Sequence, residues 1–405
     1  MSAAEDARYM AAALRLSLWH EGQTETNPSV GCVIVRDGAI VGAAVTAVGG
    51  RPHAETQALA IAGEKARGAT VYVTLEPCAH YGRTPPCANA LVAAGVGRVV
   101  ICLVDPDPRV AGHGIAILKE AGIKVETGLL ESQGRRALAA YLSRQVRKRP
   151  YVTLKLAVSL DGMLGRRGEE VSITGPLARA QVHVLRAESD AILVGIGTVR
   201  CDDPELTVRL PGMRDRSPVR IILDRRLELP LDSNLVRSAR VVPVIAASVG
   251  ALPATAQPSS SMGKGRASVS FCRCGEEQKH IYVAQDVTGQ TWNETEAAPI
   301  SDDPARNALL DAGVHIIDAR DLADLLYTLT EHGISSLFVE GGAAVARAFL
   351  DADLVDRVIV SQGPVTIGEG GLESPLTPSD MPEKFRPVRK DMFGPDSSYE
   401  FERGF

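Results

Sequence analysis

Three residues that can bind zinc and one acid lie close together in the first quarter of the chain. Glu55 follows His53 by two residues, Cys78 ends a Glu-Pro-Cys triplet, and Cys87 comes nine residues later. One imidazole and two thiolates can hold a tetrahedral zinc ion and leave its fourth position to water. A glutamate beside that water can take its proton and pass it to a leaving amine, which is hydrolytic deamination. The pattern predicts one Zn²⁺ per chain, bound by His53, Cys78 and Cys87, with Glu55 as the catalytic acid–base.

The competing interpretation is a histidine and two buried cysteines near turns. His-x-Glu alone is a weak signal, but a Glu-Pro-Cys turn at the end of a predicted strand makes the combination specific. Cys32 and Cys102 lie in predicted strands and are interpreted as core residues. Cys272-Arg-Cys274 has one intervening residue and no partner pair, so we interpret it as exposed or structural and not as a second zinc site.

Composition limits the class of protein. With 405 residues the chain exceeds the roughly 250–300 at which single cores stop growing, so two domains are expected. The net charge of −5 gives no global attraction to nucleic acid. The first 18 residues lack the features of a signal peptide, and no apolar run approaches the roughly 20 residues of a membrane span. Seven cysteines in a chain of this length indicate thiols in a reducing cytoplasm, where we place the protein.

Alternating strands and helices must position the candidate ligands. Residues 4–20 are predicted to form a helix, 30–35 a strand, 53–66 a helix that His53 opens, and 70–75 a strand that ends at the Glu-Pro-Cys turn. Cys78 and Cys87 are both predicted at helix starts, where the helix dipole favours thiolate. This alternation predicts an α/β sheet covered by helices.

A basic stretch at 144–150 marks the predicted boundary, which divides the chain into domains 1–147 and 148–405. The second domain is again α/β, and Gly341-Gly342 is predicted to join a strand to a helix whose first N–H groups can hold a pyrophosphate. Residues 247–312 are rich in turn-forming residues and are predicted to be a surface insertion, partly mobile, with one strand at 281–284.

The first half of the chain resembles the bifunctional riboflavin biosynthesis deaminase–reductases. The resemblance rests on the segments 27–35, 52–55, 71–87 and 105–108, and it includes the long loop between the two cysteines. It implies a cytidine-deaminase-like three-layer domain that deaminates 2,5-diamino-6-ribosylamino-4(3H)-pyrimidinone 5′-phosphate. The resemblance further implies that base and phosphate are contacted by Asn27, His80, Arg83 and Thr84. Arg83 is the best physical candidate for the phosphate because a guanidinium offers forked donors.

The second half is similar to the reductase domain of the same family, through segments 155–162, 182–195, 197–209 and 339–342. It implies a dihydrofolate-reductase-like α/β domain that reduces the ribosyl group to ribityl with NADPH. The implied cofactor contacts are Ala157, Ser172, Thr198, Asp202 and Gly342. The implied substrate contacts are Lys155, Arg186, Leu206, Arg209 and Glu340. The sequence leaves open whether Lys155, Glu340, Asp202 or water delivers the proton, and it identifies no arginine that reads the 2′-phosphate.

The chain departs from the family pattern at four positions. Relatives carry histidines where Thr46 and Gln57 stand, which affects substrate contact rather than metal binding. Relatives also read Ser-x-Trp-Ile-Thr where this chain has Glu170-Val-Ser172-Ile-Thr174. Ser172 removes a stacking surface for the cofactor, and a carboxylate at Glu170 would repel a substrate phosphate.

Two other classes of function stay open from the sequence. A nucleoside or tRNA deaminase with an unrelated tail usually has Cys-x-x-Cys spacing, and RNA-binding proteins tend to be basic. A zinc-stabilised binding module needs no proton shuttle such as Glu55. We therefore expect small phosphorylated pyrimidines as substrates and neither nucleic acid nor membrane as a partner, and the resemblance favours a homo-oligomer.

Overall fold

The computed structural model describes residues 2–81, 85–166, 168–169, 171–250, 267–268, 285–286 and 303–404. The chain divides into two compact units, Met1–Lys148 and Arg149–Phe405. Each unit has its own sheet and its own apolar core. No helix in the described part of the chain is long and apolar enough to cross a membrane.

The first unit is built on a five-stranded sheet with the order β2-β1-β3-β4-β5. Its strands are β1 (Gly31–Arg36), β2 (Ala39–Val45), β3 (Thr70–Leu75), β4 (Arg98–Leu103) and β5 (Lys124–Thr127). Its helices are α1 (Ala3–Ser17), α2 (Ala54–Ala62), α3 (Cys87–Ala93), α4 (His113–Glu120), α5 (Glu131–Ala137) and α6 (Ala139–Leu142). Strand β1 is antiparallel to β2 and β3, whereas β3, β4 and β5 run parallel.

Helices cover both faces of this sheet, which gives the predicted three layers. Gly31 faces α1, where a Cβ would lie 1.9 Å from the carbonyl oxygen of Ala13. Gly42 on β2 faces α2, where a Cβ would lie 2.3 Å from the carbonyl oxygen of Ala58. Glycine at both positions lets a helix approach its strand closely.

Two helices differ from their predicted bounds. The first ends at Ser17 rather than at residue 20, and Leu18 and Trp19 lie exposed beyond it. The Ser17 hydroxyl donates to the carbonyl of Leu14, a side-chain bond typical of helix ends. The predicted helix 53–66 is α2 followed by a 3₁₀ turn, because Gly63 adopts a left-handed backbone that ends the α-helix.

A buried ion-pair network ties α1 to the sheet. Arg98 on β4 donates to both carboxylate oxygens of Asp6 at 2.8 Å, and the Tyr72 hydroxyl donates to the same carboxylate. The other side of the guanidinium bonds Glu126. These bonds hold the pKa of Asp6 below its ordinary value, chiefly through Arg98.

Replacing Asp6 with alanine is expected to lower the free energy of unfolding of the first unit by roughly 3 kcal/mol, because Arg98 loses its buried partner. Since the folded pKa of Asp6 is depressed, this contribution is complete above about pH 4 and is lost as pH falls through the folded pKa. Urea denaturation at pH 7 and pH 3 measures both effects. Glu126→Ala, at the exposed end of the network, is the control and should cost less than about 1 kcal/mol. An equal cost for the two variants at pH 7 would contradict the prediction.

The second unit is built on a nine-stranded sheet with the order β13-β10-β9-β8-β14-β6-β15-β18-β17. The first seven strands in this order, from β13 to β15, run parallel to one another. Strands β18 and β17 add an antiparallel hairpin at one edge of the sheet. Its helices are α7 (Pro176–Ala187), α8 (Ile196–Asp202), α9 (Asn234–Arg237), α10 (Pro304–Asp311), α11 (Leu322–Glu331) and α12 (Ala343–Asp351). The nine strands are β6 (Tyr151–Val158), β8 (Ala191–Gly195), β9 (Val219–Leu223), β10 (Val244–Val249), β13 (His315–Ala319), β14 (Ser336–Val339), β15 (Arg357–Gln362), β17 (Phe385–Phe393) and β18 (Asp396–Arg403). Two short pairs complete it, β7 (Met163–Arg166) with β16 (Gly371–Glu373) and β11 (Ala267–Ser268) with β12 (Gln285–Asp286).

Most of the predicted insertion 247–312, including the predicted strand 281–284, lies outside the described residues. Its two described ends are not insertion. Residues 247–249 belong to β10, which pairs with β9 and β13, and 304–311 form α10, whose Leu309 is buried. These ends are parts of the sheet and its covering helices.

Candidate deaminase and reductase sites

The three predicted zinc ligands meet in space. The ligand atoms of His53, Cys78 and Cys87 all lie within 4.8 Å of one another. The Nδ1 of His53 is 3.3 Å from the sulfur of Cys87 and 3.7 Å from that of Cys78. One nitrogen and two sulfurs gathered in this way fit a zinc ion with an open fourth position.

Local structure explains how the ligands are held. His53 is the N-cap of α2, and Cys87 is the first residue of α3. The prediction that Cys78 lies at a helix start is wrong: Cys78 lies in the loop that follows β3. The Cys87 backbone N–H, at the start of α3, donates to the Cys78 sulfur at 3.2 Å. The positive end of the α3 dipole therefore favours the thiolate form of Cys78, although Cys78 is not part of that helix. Bonds from Cys87 and His53 lower the pKa of Cys78 to about 4.

Glu55 lies in the first turn of α2, two residues beyond His53, and is 3% exposed. Burial raises the pKa of its carboxyl to about 7. A carboxyl with a pKa near neutrality can both accept and return a proton, which is what an acid–base shuttle needs. Cys32, 0% exposed on β1, belongs to the core as predicted, and so does Cys102.

A residue whose role was not anticipated fixes the turn that carries Cys78. Glu76 is buried, and its carboxylate accepts three backbone N–H groups, from Asp105 at 3.3 Å, Gly112 at 3.1 Å and Ile115 at 3.2 Å. Gly112, the N-cap of α4, has no side chain to cap that helix, and Glu76, directly after β3, supplies the cap. The available signal was an acidic residue directly after a fully buried strand.

The predicted substrate contacts of the deaminase are only partly described. Asn27 packs against Gly50, where a Cβ would lie 2.4 Å from the Asn27 amide nitrogen. The Nδ1 of His80 is buried and has no hydrogen-bond partner among the described residues. Arg83 and Thr84 lie outside the described residues.

The two positions where relatives carry histidine are occupied by side chains that bond to backbone. The Thr46 hydroxyl accepts the Val30 N–H at 2.9 Å. The Gln57 amide donates to the carbonyls of Val45 and Pro52, at 2.7 and 2.9 Å. Both residues therefore support the loop that leads to His53.

Removal of Cys87 is expected to abolish zinc binding. Cys87→Ala leaves two ligands. Mutation of residues that only support the ligands typically lowers metal affinity by roughly 10–100-fold, and loss of a ligand should lower zinc affinity by more than that. Metal analysis of the purified protein should find about one zinc in the wild type and almost none in the variant. Cys201→Ala, at an exposed cysteine of the second unit, is the control and should retain zinc. Full zinc content in Cys87→Ala would refute the ligand assignment.

In the second unit three charged side chains converge where β6 and β14 lie side by side. Arg186 on α7 donates through two nitrogens to Glu340, at 2.7 and 3.1 Å, and through a third to the Thr207 carbonyl. Lys155 on β6 is buried, and burial lowers its pKa, while the charge of Glu340 opposes that shift. Lys155 is therefore not a surface charge.

Gly342 is the N-cap of α12 and makes no side-chain cap. A Cβ built on it would meet no atom within 4 Å, so space is open beside this helix start. A helix start of this kind accommodates the pyrophosphate of a dinucleotide. Ala157 lies near the end of β6, and Thr198 lies on α8, which follows β8; these two strands flank β14. The unit therefore fits NADPH.

Four predicted contacts of the reductase lie in different surroundings. The hydroxyl of Ser172 is exposed and accepts from Arg179, and Glu170 lies outside the described residues. Asp202 is exposed as the last residue of α8. Leu206 is 3% exposed with its side chain in the core, so any contact with substrate must come from its backbone. Arg209 is exposed beside Glu205.

The fold and the two sites define a zinc-dependent deaminase joined to a nicotinamide-dependent reductase. Residues 3–103 match the cytidine and deoxycytidylate deaminase zinc-binding region, and residues 150–397 match the RibD C-terminal domain. The chain belongs to the family of the riboflavin biosynthesis protein RibD. It is a bifunctional deaminase and reductase of riboflavin biosynthesis, with zinc and NADPH as cofactors.

Relatives match over nearly the whole length. Riboflavin biosynthesis protein RibD of Escherichia coli is 39% identical, over 97% of this chain and 98% of the relative. The Aquifex aeolicus protein is 37% identical, over 90% and 88%. Among solved structures, Acinetobacter baumannii RibD matches with a TM-score of 0.78 at 33% identity and covers 100% of both chains. A Thermotoga maritima diaminohydroxyphosphoribosylaminopyrimidine deaminase/5-amino-6-(5-phosphoribosylamino)uracil reductase gives a TM-score of 0.74 at 30% identity, covering 99% of both chains.

Proposed function

We propose that residues 1–147 deaminate diaminohydroxyphosphoribosylaminopyrimidine, and that residues 148–405 reduce the product, 5-amino-6-(5-phosphoribosylamino)uracil, to its ribityl form. The observation that carries the proposal is the meeting of His53, Cys78 and Cys87 beside the buried Glu55. The substrates are those in the name of the Thermotoga maritima relative.

In the deaminase, we assign the metal to His53, Cys78 and Cys87. When bound, zinc lowers the pKa of a water at its open position toward about 7. Glu55 takes a proton from the nucleophile and returns it to the amino group that leaves as ammonia. Glu76 keeps Cys78 in place through its three backbone hydrogen bonds. Asn27, His80, Arg83 and Thr84 are proposed to bind the base and the phosphate.

In the reductase, NADPH supplies a hydride when bound. We assign the cofactor to Ala157, Ser172, Thr198, Asp202 and Gly342. Lys155 and Glu340 face the sugar of the substrate, and the lowered pKa of Lys155 makes its ammonium a stronger acid toward the sugar oxygen. Arg186, Arg209 and the backbone of Leu206 hold the rest of the substrate.

The proposal is tested with purified, zinc-loaded protein. Addition of the diaminopyrimidine phosphate should release ammonia, and NADPH should then be oxidised in proportion to the deaminated product. Ammonia release without NADPH oxidation would restrict the proposal to the first unit. The same preparation should release no ammonia from cytidine or from transfer RNA, and deamination of either would favour the rival class.

We further propose a cytoplasmic homo-oligomer that does not bind nucleic acid. The net charge of −5 supports the last point. Light scattering of the purified chain determines the oligomeric state, and a monomer at micromolar concentration would contradict the proposal.

A further inference from the structure

The segment 203–209, named here the substrate loop, has an unfavourable backbone. Asp203 and Leu206 adopt left-handed conformations, with φ of 37° and 56°. A Cβ makes this region costly, and residues other than glycine stay there only when their surroundings hold them. Asp203 is the C-cap of α8, and its N–H donates to the Val199 carbonyl, so a helix end explains its conformation. Leu206 lies beyond that helix end and outside the named strands, so its left-handed backbone needs another explanation.

Side chains from other parts of the unit hold the loop at successive positions. Hydrogen bonds join the Asn234 amide side chain to the Asp203 carbonyl at 2.8 Å, Arg220 to the Glu205 carbonyl at 3.1 Å, Arg186 to the Thr207 carbonyl at 3.2 Å, Ser217 to the Val208 N–H at 3.0 Å and His183 to the Arg209 N–H at 3.4 Å. Of these five donors and acceptors, Arg186 alone has a role in the proposed function.

Arg220 differs from the others because it is a completely buried cation. It is 0% exposed, and its Nε has no hydrogen-bond partner among the described residues. Besides Glu205, it donates to the hydroxyl of Ser238 at 2.8 Å, to the carbonyl of Ser238 at 3.2 Å and to the carbonyl of Val242. Burial lowers its pKa to about 10, so the group stays charged at neutral pH.

A buried charge at this position lowers the stability of the fold. Moving a charged group out of water costs free energy, which its hydrogen bonds must offset. Unlike an apolar side chain, the guanidinium fixes the Glu205 carbonyl next to Leu206, whose backbone is left-handed. The same side chain reaches Ser238 and Val242, at the end of α9 and before β10, so it fastens the loop to the body of the unit.

We propose that Arg220 is a positioning residue of the reductase. It holds the substrate loop in its left-handed form and so places the backbone of Leu206 and the side chain of Arg209 for the phosphorylated pyrimidine. The inference rests on the proposed function, because the loop matters only if the second unit binds that substrate. Arg220 itself touches neither substrate nor cofactor.

The test compares Arg220→Met with wild type, using NADPH and 5-amino-6-(5-phosphoribosylamino)uracil. The variant should lose about 100-fold in reductase kcat/KM, mostly through a higher KM, because misplacement of about 1 Å costs that much. NADPH affinity, measured by fluorescence titration, and deaminase activity should stay within twofold. Hydrogen exchange should accelerate at Val208 and Arg209 and not in the strands. Arg214→Met, at an exposed arginine, should match the wild type.

Two further variants keep the outcome decisive. Arg220→Lys should recover part of the KM, since an ammonium can reach some of the same carbonyls. Asn234→Ala, at a half-buried site, removes the side-chain bond to the Asp203 carbonyl without emptying the core and should raise KM even if Arg220→Met fails to fold. An unchanged KM in Asn234→Ala, together with an unchanged KM or an unfolded chain for Arg220→Met, overturns the inference. A wild type that oxidises no NADPH would instead refute the proposed function.

Discussion

Substitution of Glu55 by glutamine is expected to lower the deaminase kcat by about 10²–10⁴-fold, the range that a positioned acid–base contributes. Glutamine retains the size of the side chain and its place in the first turn of α2, but it cannot carry a proton between nucleophile and leaving amine. The zinc content should stay at about one per chain, because Glu55 is not among the proposed ligands. Ammonia release and metal analysis on the same preparation measure both quantities.

The control for this variant is Glu64→Gln, an exposed carboxylate in the 3₁₀ turn that follows α2. It should leave both ammonia release and zinc unchanged. The reductase of Glu55→Gln, assayed with the deaminated pyrimidine, should match the wild type. If Glu55→Gln deaminated at more than about a tenth of the wild-type rate, another group would have to move the proton.

Replacement of Lys155 by methionine is expected to reduce the reductase kcat by about 10²–10³-fold, the cost of removing one preorganised donor from a buried site. The ammonium is buried beside Glu340 and Arg186, and methionine fills a similar volume without the charge. Initial rates of NADPH oxidation with saturating substrate measure the loss. Deaminase activity should be unchanged.

Thermal unfolding separates a chemical role of Lys155 from a structural one. Removing a buried charge should leave the Tm equal or raise it, since burial disfavours the charged lysine. Lys390→Met, at an exposed lysine in the edge hairpin, is the matched control. A lower Tm with a proportionate loss of rate would show that Lys155 supports the fold and not the reaction.

Local patterns in the sequence were sufficient for the zinc-ligand geometry. His53 and Glu55 follow one another at the start of a helix, and Cys78 follows a strand of six buried residues, so short-range rules place them. The strand–helix alternation likewise predicted an α/β class for both units. Cys78 was misplaced because the Glu-Pro-Cys turn continues as a loop, and the helix dipole that acts on its sulfur belongs to α3.

The geometry of the reductase site depends on contacts between residues far apart in the chain, which local sequence patterns cannot predict. Arg186 and Glu340 are 154 residues apart, and their pairing joins α7 to the residue that follows β14. Likewise, the burial of Lys155 follows from its position on β6, an interior strand of nine. The left-handed backbone of Leu206 is imposed by tertiary bonds against its own preference, so sequence propensity points the other way.

The division into two units with separate cores has a practical consequence. A chain carrying Glu55→Gln and a chain carrying Lys155→Met each lack one activity and keep the other. Mixed in solution, they can complete the two-step conversion only if the deaminated intermediate leaves one chain and enters another. The rate of the mixture relative to the intact chain therefore measures how much intermediate travels through bulk water and how much is handed over between the halves of one chain.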